Sequence, residues 1–416
     1  MHTSDSTIPN LSTPSAPVSV VILHSSDDLY GSDRVLLELL SRFDRNRLRP
    51  VVVLPKDMEH VGLLSRELRE RGIEVHHLPT AVVRRRYLSP IGLVRFLANF
   101  WQGSKLVVKL VREKNAKVIY GFTFAVLAAP FASLLSGVPL VMHAHEVLVR
   151  PAFVRRTLHK LFSSCSKRVL CVSEAVRENI LRDVHNPEAK LEVVYNGLTI
   201  KRDSNASCNG LEQLGICMDL PVVGMVGRVS HWKGQEVFLR AAALVRDSGA
   251  QCQFICIGGV FDGATEPLDS LLALRSRLGM EREFIVEGFR RDAPELVGSF
   301  DALVVPSTLP EPFGMVILEA MAAGVPVVAS AHGGPLEILE HGKSGWLVEP
   351  SNPQALAVAI STLLSDPEQR FRLGQAGKRR FEALFTVEKQ VAHVESVLQQ
   401  TAGVVSPSTY HDVVKV

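Results

Sequence analysis

One stretch constrains this chain more than any other. Ala302-Leu303-Val304-Val305-Pro306 is a short apolar run of the kind that forms a strand buried in a parallel sheet. It leads into Pro310-Glu311-Pro312-Phe313-Gly314-Met315-Val316-Ile317-Leu318-Glu319-Ala320. Pro312 and Gly314 make a tight entry, and Met315 to Ala323 then reads as a helix. Such a helix start offers unpaired backbone N–H groups and the positive end of a dipole, which together hold an anion. Glu311 falls on the loop at the helix mouth, and Glu319 lies between one and two turns in. Packing does not require a carboxylate on each side of an anion site. Carboxylates bind hydroxyls, so the guest that suits the pair is a sugar phosphate or a nucleotide. Taken singly, either residue could be a loop or surface glutamate; the arrangement around Pro-Phe-Gly after a buried strand favours a site.

The rest of the chain alternates strand and helix patterns. Val18 to Leu23, Arg49 to Leu54 and Ile73 to Leu78 read as strands, with helices over Arg34 to Phe43 and Gly62 to Arg71 between them. Leu140 to Met142, Arg168 to Val172 and Leu191 to Tyr195 continue the pattern, and Ser173 is placed to cap the helix that follows it. A second series begins at Val222 to Val229 and runs through Phe254 to Ile257, Phe284 to Glu287, Val325 to Ala329 and Trp346 to Val348. Helices are expected over Gln235 to Arg246, 353–365, from Pro367 onward, and over 387–400. Alternation of this kind means doubly wound parallel sheets, and 416 residues are too many for one ordinary core.

Glu311 and Glu319, with seven residues between them inside a Glu-Pro-Phe-Gly start, resemble the signature of the family 4 retaining glycosyltransferases, which have the GT-B fold. The resemblance implies two Rossmann-like domains facing one cleft. On that basis residues 1–17 are expected to be a disordered tail and 18–200 an acceptor-binding domain. Residues 201–214 are expected to be a linker, 215–386 a nucleotide-sugar-binding domain, 387–401 a helix packing back on the first domain, and 402–416 a loose tail. It also implies a site. Glu311 would hold the hydroxyls of the donor sugar and Glu319 those of the ribose. The amides near Phe313, Gly314, Met315 and Val316 would receive the phosphates. Arg228 and Lys233 bracket the loop after the first strand of the second domain, and two cations opposite a helix N-terminus make a diphosphate clamp. The resembling family uses these two positions in that way. His145-Glu146, at the end of the strand Leu140 to Met142, matches the family's His-Asp or His-Glu beside the reacting sugar, with His143 the runner-up. Phe289, after Gly288, could stack on the base.

One position departs from the family. Its turn after the first strand is usually Gly-Gly, close to the donor phosphate and the acceptor. Here the turn reads Tyr30-Gly31-Ser32-Asp33, so only Gly31 remains to bring its backbone close. The same strand lacks the Gly-x-Gly-x-x-Gly fingerprint that a dehydrogenase would need there.

Composition adds limits. Residues 1–200 carry 27 Lys and Arg against 18 Asp and Glu, whereas residues 201–416 carry 19 against 25. The first half therefore suits an anionic partner. Much of its excess lies in 84–117, which holds nine basic residues, including Arg84, Arg85 and Arg86, and one acid, with Leu93, Leu97, Trp101, Leu106, Leu110 and Val111 among them. A basic amphipathic helix at an anionic membrane surface is one reading; an ordinary solvated face is the other. Phe124 to Met142 is apolar, but Pro130, Gly137 and Pro139 break it into a buried helix, a turn and a strand, so no membrane span is expected. Residues 1–17 have neither a basic start nor an apolar segment and do not read as a signal peptide. Six scattered cysteines without a Cys-x-x-Cys pair suit a reducing cytoplasm, and Cys252 and Cys256 read as small buried hydrophobes. No Asp-x-Asp and no dense His/Cys cluster suggests a metal or a cofactor, and nothing suggests nucleic acid. The sequence thus points to transfer of a sugar from a nucleotide-sugar donor to an acceptor hydroxyl, in lipid-linked glycan, polysaccharide or glycolipid synthesis. An epimerase of the same fold and a non-catalytic nucleotide-sugar binder are the alternatives.

Overall fold

The computed structural model describes residues 16–56, 62–82, 89–184, 190–199, 208–260 and 265–404. Readings made on residues 1–15, on Arg84 to Arg86, on the first part of the linker and on 405–416 lie outside these residues.

The first sheet contains β1 (Val18–His24), β2 (Leu48–Pro55), β3 (Glu74–Leu78), β4 (Val118–Phe122), β5 (Leu140–Ala144), β6 (Ser166–Cys171) and β7 (Leu191–Val193). Their order is β3-β2-β1-β4-β5-β6-β7, and every adjacent pair is parallel. Around it lie α1 (Gly31–Ser41), α2 (Leu63–Glu70), α3 (Pro90–Glu113), α4 (Ala128–Ser136), α5 (Ala152–Cys165) and α6 (Glu174–Leu181). After α7 (Cys208–Glu212) comes a second parallel sheet: β8 (Val222–Val226), β9 (Gln253–Ile257), β10 (Phe284–Glu287), β11 (Ala302–Val305), β12 (Val327–Ser330) and β13 (Trp346–Val348), in the order β10-β9-β8-β11-β12-β13. Its helices are α8 (Gln235–Asp247), α9 (Glu266–Arg277), α10 (Ala293–Val297), α11 (Met315–Ala323), α12 (Pro335–Ile338), α13 (Pro353–Ser365) and α14 (Pro367–Leu384). The chain closes with α15 (Val387–Thr401). Two doubly wound parallel sheets are the architecture that the alternating pattern required.

The central strands are buried along their length. Val20, Val21, Ile22 and Val51 to Leu54 lie in the first core, and Val223, Phe254, Ile255 and Val304 in the second, all without solvent contact. Helix α15 belongs to the first sheet's core, where Val391, Val394 and Leu398 share a cluster with Leu36, Leu39 and Leu40 of α1. The crossing is fixed by hydrogen bonds. The Leu198 amide donates to Phe385 O at 3.0 Å, and the Gly197 amide donates to Gln390 Oε1 at 2.9 Å.

Two local differences from the sequence reading have plain causes. Helix α1 starts at Gly31 rather than Arg34, because the Asp33 carboxylate accepts the Tyr30 amide at 3.1 Å and satisfies the first turn. The stretch 201–214, read as an irregular linker, contains α7, where Leu211 is fully buried and Gly210 packs against Leu296. Cys252 and Cys256 are buried, and burial pushes their thiols up to about 11 and about 12.

Candidate functional site

In each sheet the strand order reverses once, between β1 and β4 in the first and between β8 and β11 in the second. At such a reversal the loops leaving neighbouring strands diverge and open a crevice at the strands' carboxyl ends, where open α/β sheets bind ligands. The residues that follow these four strands include Tyr30, Phe124, Arg228 and Glu311. The sequence-selected residues on the second sheet therefore sit at its one topological opening.

On that sheet the cations and carboxylates are already paired. Lys233 Nζ bridges both oxygens of Glu311, at 2.8 and 2.9 Å. Glu311 is nearly buried, and Ser307 Oγ donates to its Oε2 at 2.9 Å. His332 Nε2 meets Ser307 O at 2.9 Å, so a short chain of bonds fixes the loop between β11 and α11. Gly333 and Gly334 let a second loop press on this one. A Cβ on Gly333 would come within 2.3 Å of Glu311 O, and one on Gly334 within 2.3 Å of Phe313 O. Helix α11 opens at Gly314, at φ +116°, with Met315 and Val316 in its first turn. Glu319 is one turn further along and is also nearly buried.

Phe313 keeps its backbone at the start of α11 and turns its side chain away. Its ring is buried, stacked on Tyr195 with centroids 5.9 Å apart and edge-on to Phe385 at 6.0 Å. The loop that exposes Glu311 must turn this large apolar ring into the core, so only the Phe313 backbone is available at the helix mouth. Gly31 is exposed and a Cβ there would meet nothing within 4 Å, so the space beside its backbone is open.

The first sheet contributes the end of β5. His143 is fully buried and its Nδ1 is hydrogen-bonded to Tyr120 Oη at 2.6 Å. Burial, with His393 as a lesser repulsive neighbour, lowers the imidazole to about 3. His143 is therefore a neutral core residue, and the runner-up reading of it as the sugar-facing histidine does not fit. His145 is partly exposed and stacks on Phe122 with centroids 4.1 Å apart. Burial, then His143 and His24, hold it well below the usual histidine range, and its Nε2 is enclosed without a hydrogen-bond partner. Glu146 Oε2 accepts the amides of His145 at 3.1 Å and Phe124 at 3.3 Å.

Burial nevertheless pushes the Glu146 carboxyl up to about 7, against two backbone hydrogen bonds that lower it. The fold thus holds the Glu146 proton more tightly than the unfolded chain does. Stability is lost as pH rises from the ordinary glutamate range near 4.3 to about 7, by up to about 3 kcal/mol. Glu146→Gln keeps an acceptor for both amides and has no charge to bury. It is expected to come close to the parent's melting temperature at pH 4 and to exceed it at pH 8, as differential scanning calorimetry would show. Equal melting temperatures at both pH values would mean that burial does not govern this carboxyl.

Sequence reasoning missed the pairings that cross the cleft. Arg34 Nη1 donates to Glu319 Oε1 at 2.7 Å. Arg228 lies over the Tyr30 ring, 3.9 Å from its centroid, and Tyr30 meets Phe289 at 5.0 Å. Ser173 Oγ donates to Pro312 O at 2.6 Å, and Glu337 accepts the amides of Glu174 at 2.8 Å and Ala175 at 2.9 Å, at the start of α6. Arg228, Glu319, Tyr30, Phe289 and Ser173 each stood out in the sequence; what was missed is their pairing across the cleft, which left no local trace.

Comparison with known proteins bears on this geometry. The family described as Glycosyltransferase Family 4 matches residues 30–202, and that described as Glycosyl transferases group 1 matches residues 211–380. The chain belongs to glycosyltransferase family 4. Among solved structures it is similar to Anabaena HepE in complex with UDP and glucose, at 27% identity and a TM-score of 0.78, over 92% of this chain and all of that one. The fold is GT-B. Among curated proteins it is 33% identical to an uncharacterized glycosyltransferase of Methanocaldococcus jannaschii over 49% of this chain and 52% of that protein. It is 34% identical to the D-inositol 3-phosphate glycosyltransferase of Corynebacterium urealyticum over 45% of this chain and 46% of that protein. These matches span about half the length of the curated relatives concerned.

Proposed function

We propose that this family 4 protein is a retaining glycosyltransferase that moves a sugar from a nucleotide-sugar donor to an acceptor hydroxyl. The observation that carries the reading is the gathering of Arg228, Lys233, Glu311, Glu319 and the start of α11 at the reversal of the second sheet, in contact with the start of α1. A uridine diphosphate sugar is the favoured donor, since HepE, similar over nearly the whole chain, is solved with UDP and with UDP-glucose.

In this reading Arg228, Lys233 and the amides of Gly314, Met315 and Val316 stabilise the diphosphate as its charge grows on leaving. Glu311 takes the donor sugar's hydroxyls and Glu319 the ribose hydroxyls. His145 is held neutral, so its partly exposed ring can stand near the reacting carbon without adding charge. Glu146 orders the turn that carries His145. The acceptor attacks on the face that the diphosphate leaves, and the departing phosphate takes the acceptor's proton. Cationic side chains and helix amides supply the charge stabilisation, so no metal is required. Calorimetric titration with uridine diphosphate tests the donor site. Binding that is weakened by Arg228→Ala is expected, and absence of binding to the parent protein would reject the reading.

We further propose that the acceptor is met at an anionic membrane face on the cytoplasmic side, as a lipid or lipid-linked glycan. Along α3 the residues Leu93, Leu97 and Trp101 are exposed at successive i,i+4 positions, and the same stripe continues into Lys105, Lys109 and Arg112. Leu134 and Leu135 of the adjacent α4 are exposed as well. Among the described residues no helix is long and apolar enough to cross a membrane. An apolar strip beside basic side chains suits insertion at an interface, each cation adding about 1 kcal/mol near an anionic leaflet. Co-sedimentation with anionic vesicles is expected, falling with salt and lost when Leu97 and Trp101 become serine. No binding at low salt would reject the membrane, leaving the transferase reading intact.

A further inference from the structure

The first turn of α1 belongs to the sheet opposite the donor groups, yet it touches two of them. Tyr30 is the extended N-cap residue of α1, and Arg34 lies in the first turn, its amide bonded to Tyr30 O at 3.2 Å. The Arg228 guanidinium sits over the Tyr30 ring at 3.9 Å. Arg34 donates to Glu319 at 2.7 Å, and the Glu319 side chain is only 4% exposed.

Tyr30 also has a fitted seat on the second sheet. Phe289 packs against its ring at 5.0 Å. A Cβ on Gly259, at the end of β9, would fall 2.9 Å from the Tyr30 hydroxyl and 3.3 Å from the Phe289 side chain, so the absence of a side chain there makes room for the phenol. The turn that presents Tyr30 is anchored from below. Asp33 accepts the Tyr30 amide at 3.1 Å, and its other oxygen meets buried His24 Nε2 at 2.6 Å. A tyrosine at the family's usual glycine position thus has a rigid support on its own sheet and a shaped socket on the other.

We propose that Tyr30 and Arg34 are positioning residues through which the first sheet completes the donor site, Tyr30 orienting Arg228 toward the diphosphate and Arg34 orienting Glu319 toward the ribose. The inference rests on the donor site proposed above. An aromatic face under a guanidinium holds the group by its flat side and leaves the N–H edges for bidentate contact with phosphate oxygens. A carboxylate has about four lone-pair positions, so one guanidinium bond to Oε1 leaves capacity for a ribose hydroxyl.

The two residues should separate in kinetics, because they act through groups with different tasks. Donor hydrolysis and titration with uridine diphosphate would be measured for Tyr30→Leu, Tyr30→Phe, Arg34→Ala and Arg34→Lys, with melting curves for each. Arg228 acts as charge develops, so Tyr30→Leu should lower kcat roughly tenfold with a smaller change in KM. Tyr30→Phe, which keeps the ring, should recover most of that loss. Glu319 acts in binding, so Arg34→Ala should weaken uridine diphosphate binding roughly tenfold, and Arg34→Lys should restore part of it. Tighter nucleotide binding by Tyr30→Leu or Arg34→Ala would overturn the proposal, because the two side chains would then be blocking the site. Unchanged kcat and affinity in all four variants would overturn it too, while leaving the donor site standing. A parent protein that binds no nucleotide would overturn both.

Discussion

Arg228→Ala and Lys233→Ala are each expected to lower sugar transfer roughly 100-fold or more, the usual consequence of removing one pre-aimed charge stabiliser from a leaving group. Their effects on the fold should differ. Arg228 is half-buried over Tyr30, and its loss removes that cation–π contact. Lys233 is the cation for Glu311, whose side chain is 8% exposed. Lys233→Ala leaves that carboxylate with Ser307 Oγ but without a neighbouring positive charge, and breaking such a pair destabilises by on the order of 3 kcal/mol. Lys233→Ala should therefore melt several degrees below Arg228→Ala, at comparable loss of turnover. Steady-state kinetics beside thermal melting check both statements. Near-parental turnover in either variant, with its melting transition intact, would remove that residue from the clamp.

The two carboxylates should divide the donor between them. Glu319→Ala is expected to weaken free uridine diphosphate roughly tenfold or more, through loss of a charge-assisted bond to the ribose. Glu311→Ala should leave that affinity within a few-fold, because its removal releases Lys233 toward the diphosphate rather than taking a nucleotide contact away. What Glu311→Ala should abolish is the additional affinity of the nucleotide sugar over the nucleotide. Calorimetry with both ligands on both variants decides the matter. Equal losses for both ligands in both variants would reject the assignment of one carboxylate to the ribose and the other to the sugar.

The parts of this structure legible in the sequence are those with local causes. Helix α11 begins and ends where Gly314 and Gly324 adopt positive φ, and both ends could be read from those glycines and the apolar run before them. Asp366 caps α14 by accepting the Gln369 amide, and Ser173 caps α6 by accepting the Val176 amide, as their positions before helical patterns suggested. Helix α5 was overlooked although Val154, Leu158 and Phe162 recur at helical spacing within it. The contacts across the cleft are of another kind. Arg34 and Glu319 are 285 residues apart, and nothing near either one announces the other. The seat of the Phe313 ring is of the same kind: its partners Tyr195 and Phe385 come from distant loops that meet only when α15 returns to the first sheet. A departure from the family pattern was the single usable sign. Tyr30 stands where a glycine is usual, and the structure supplies the socket that a larger side chain needs.

The central claim is that the groups around Glu311 and Arg228 activate a nucleotide sugar for transfer with retention. Incubating the protein with a panel of nucleotide sugars, without added acceptor, tests it most directly. Slow release of uridine diphosphate from one uridine diphosphate sugar is expected, with the freed sugar first appearing in the donor's own anomeric configuration and the rate collapsing in Arg228→Ala. Release of no nucleoside diphosphate from any donor, a sugar of inverted configuration, or an epimerised nucleotide sugar in place of a free one would contradict it.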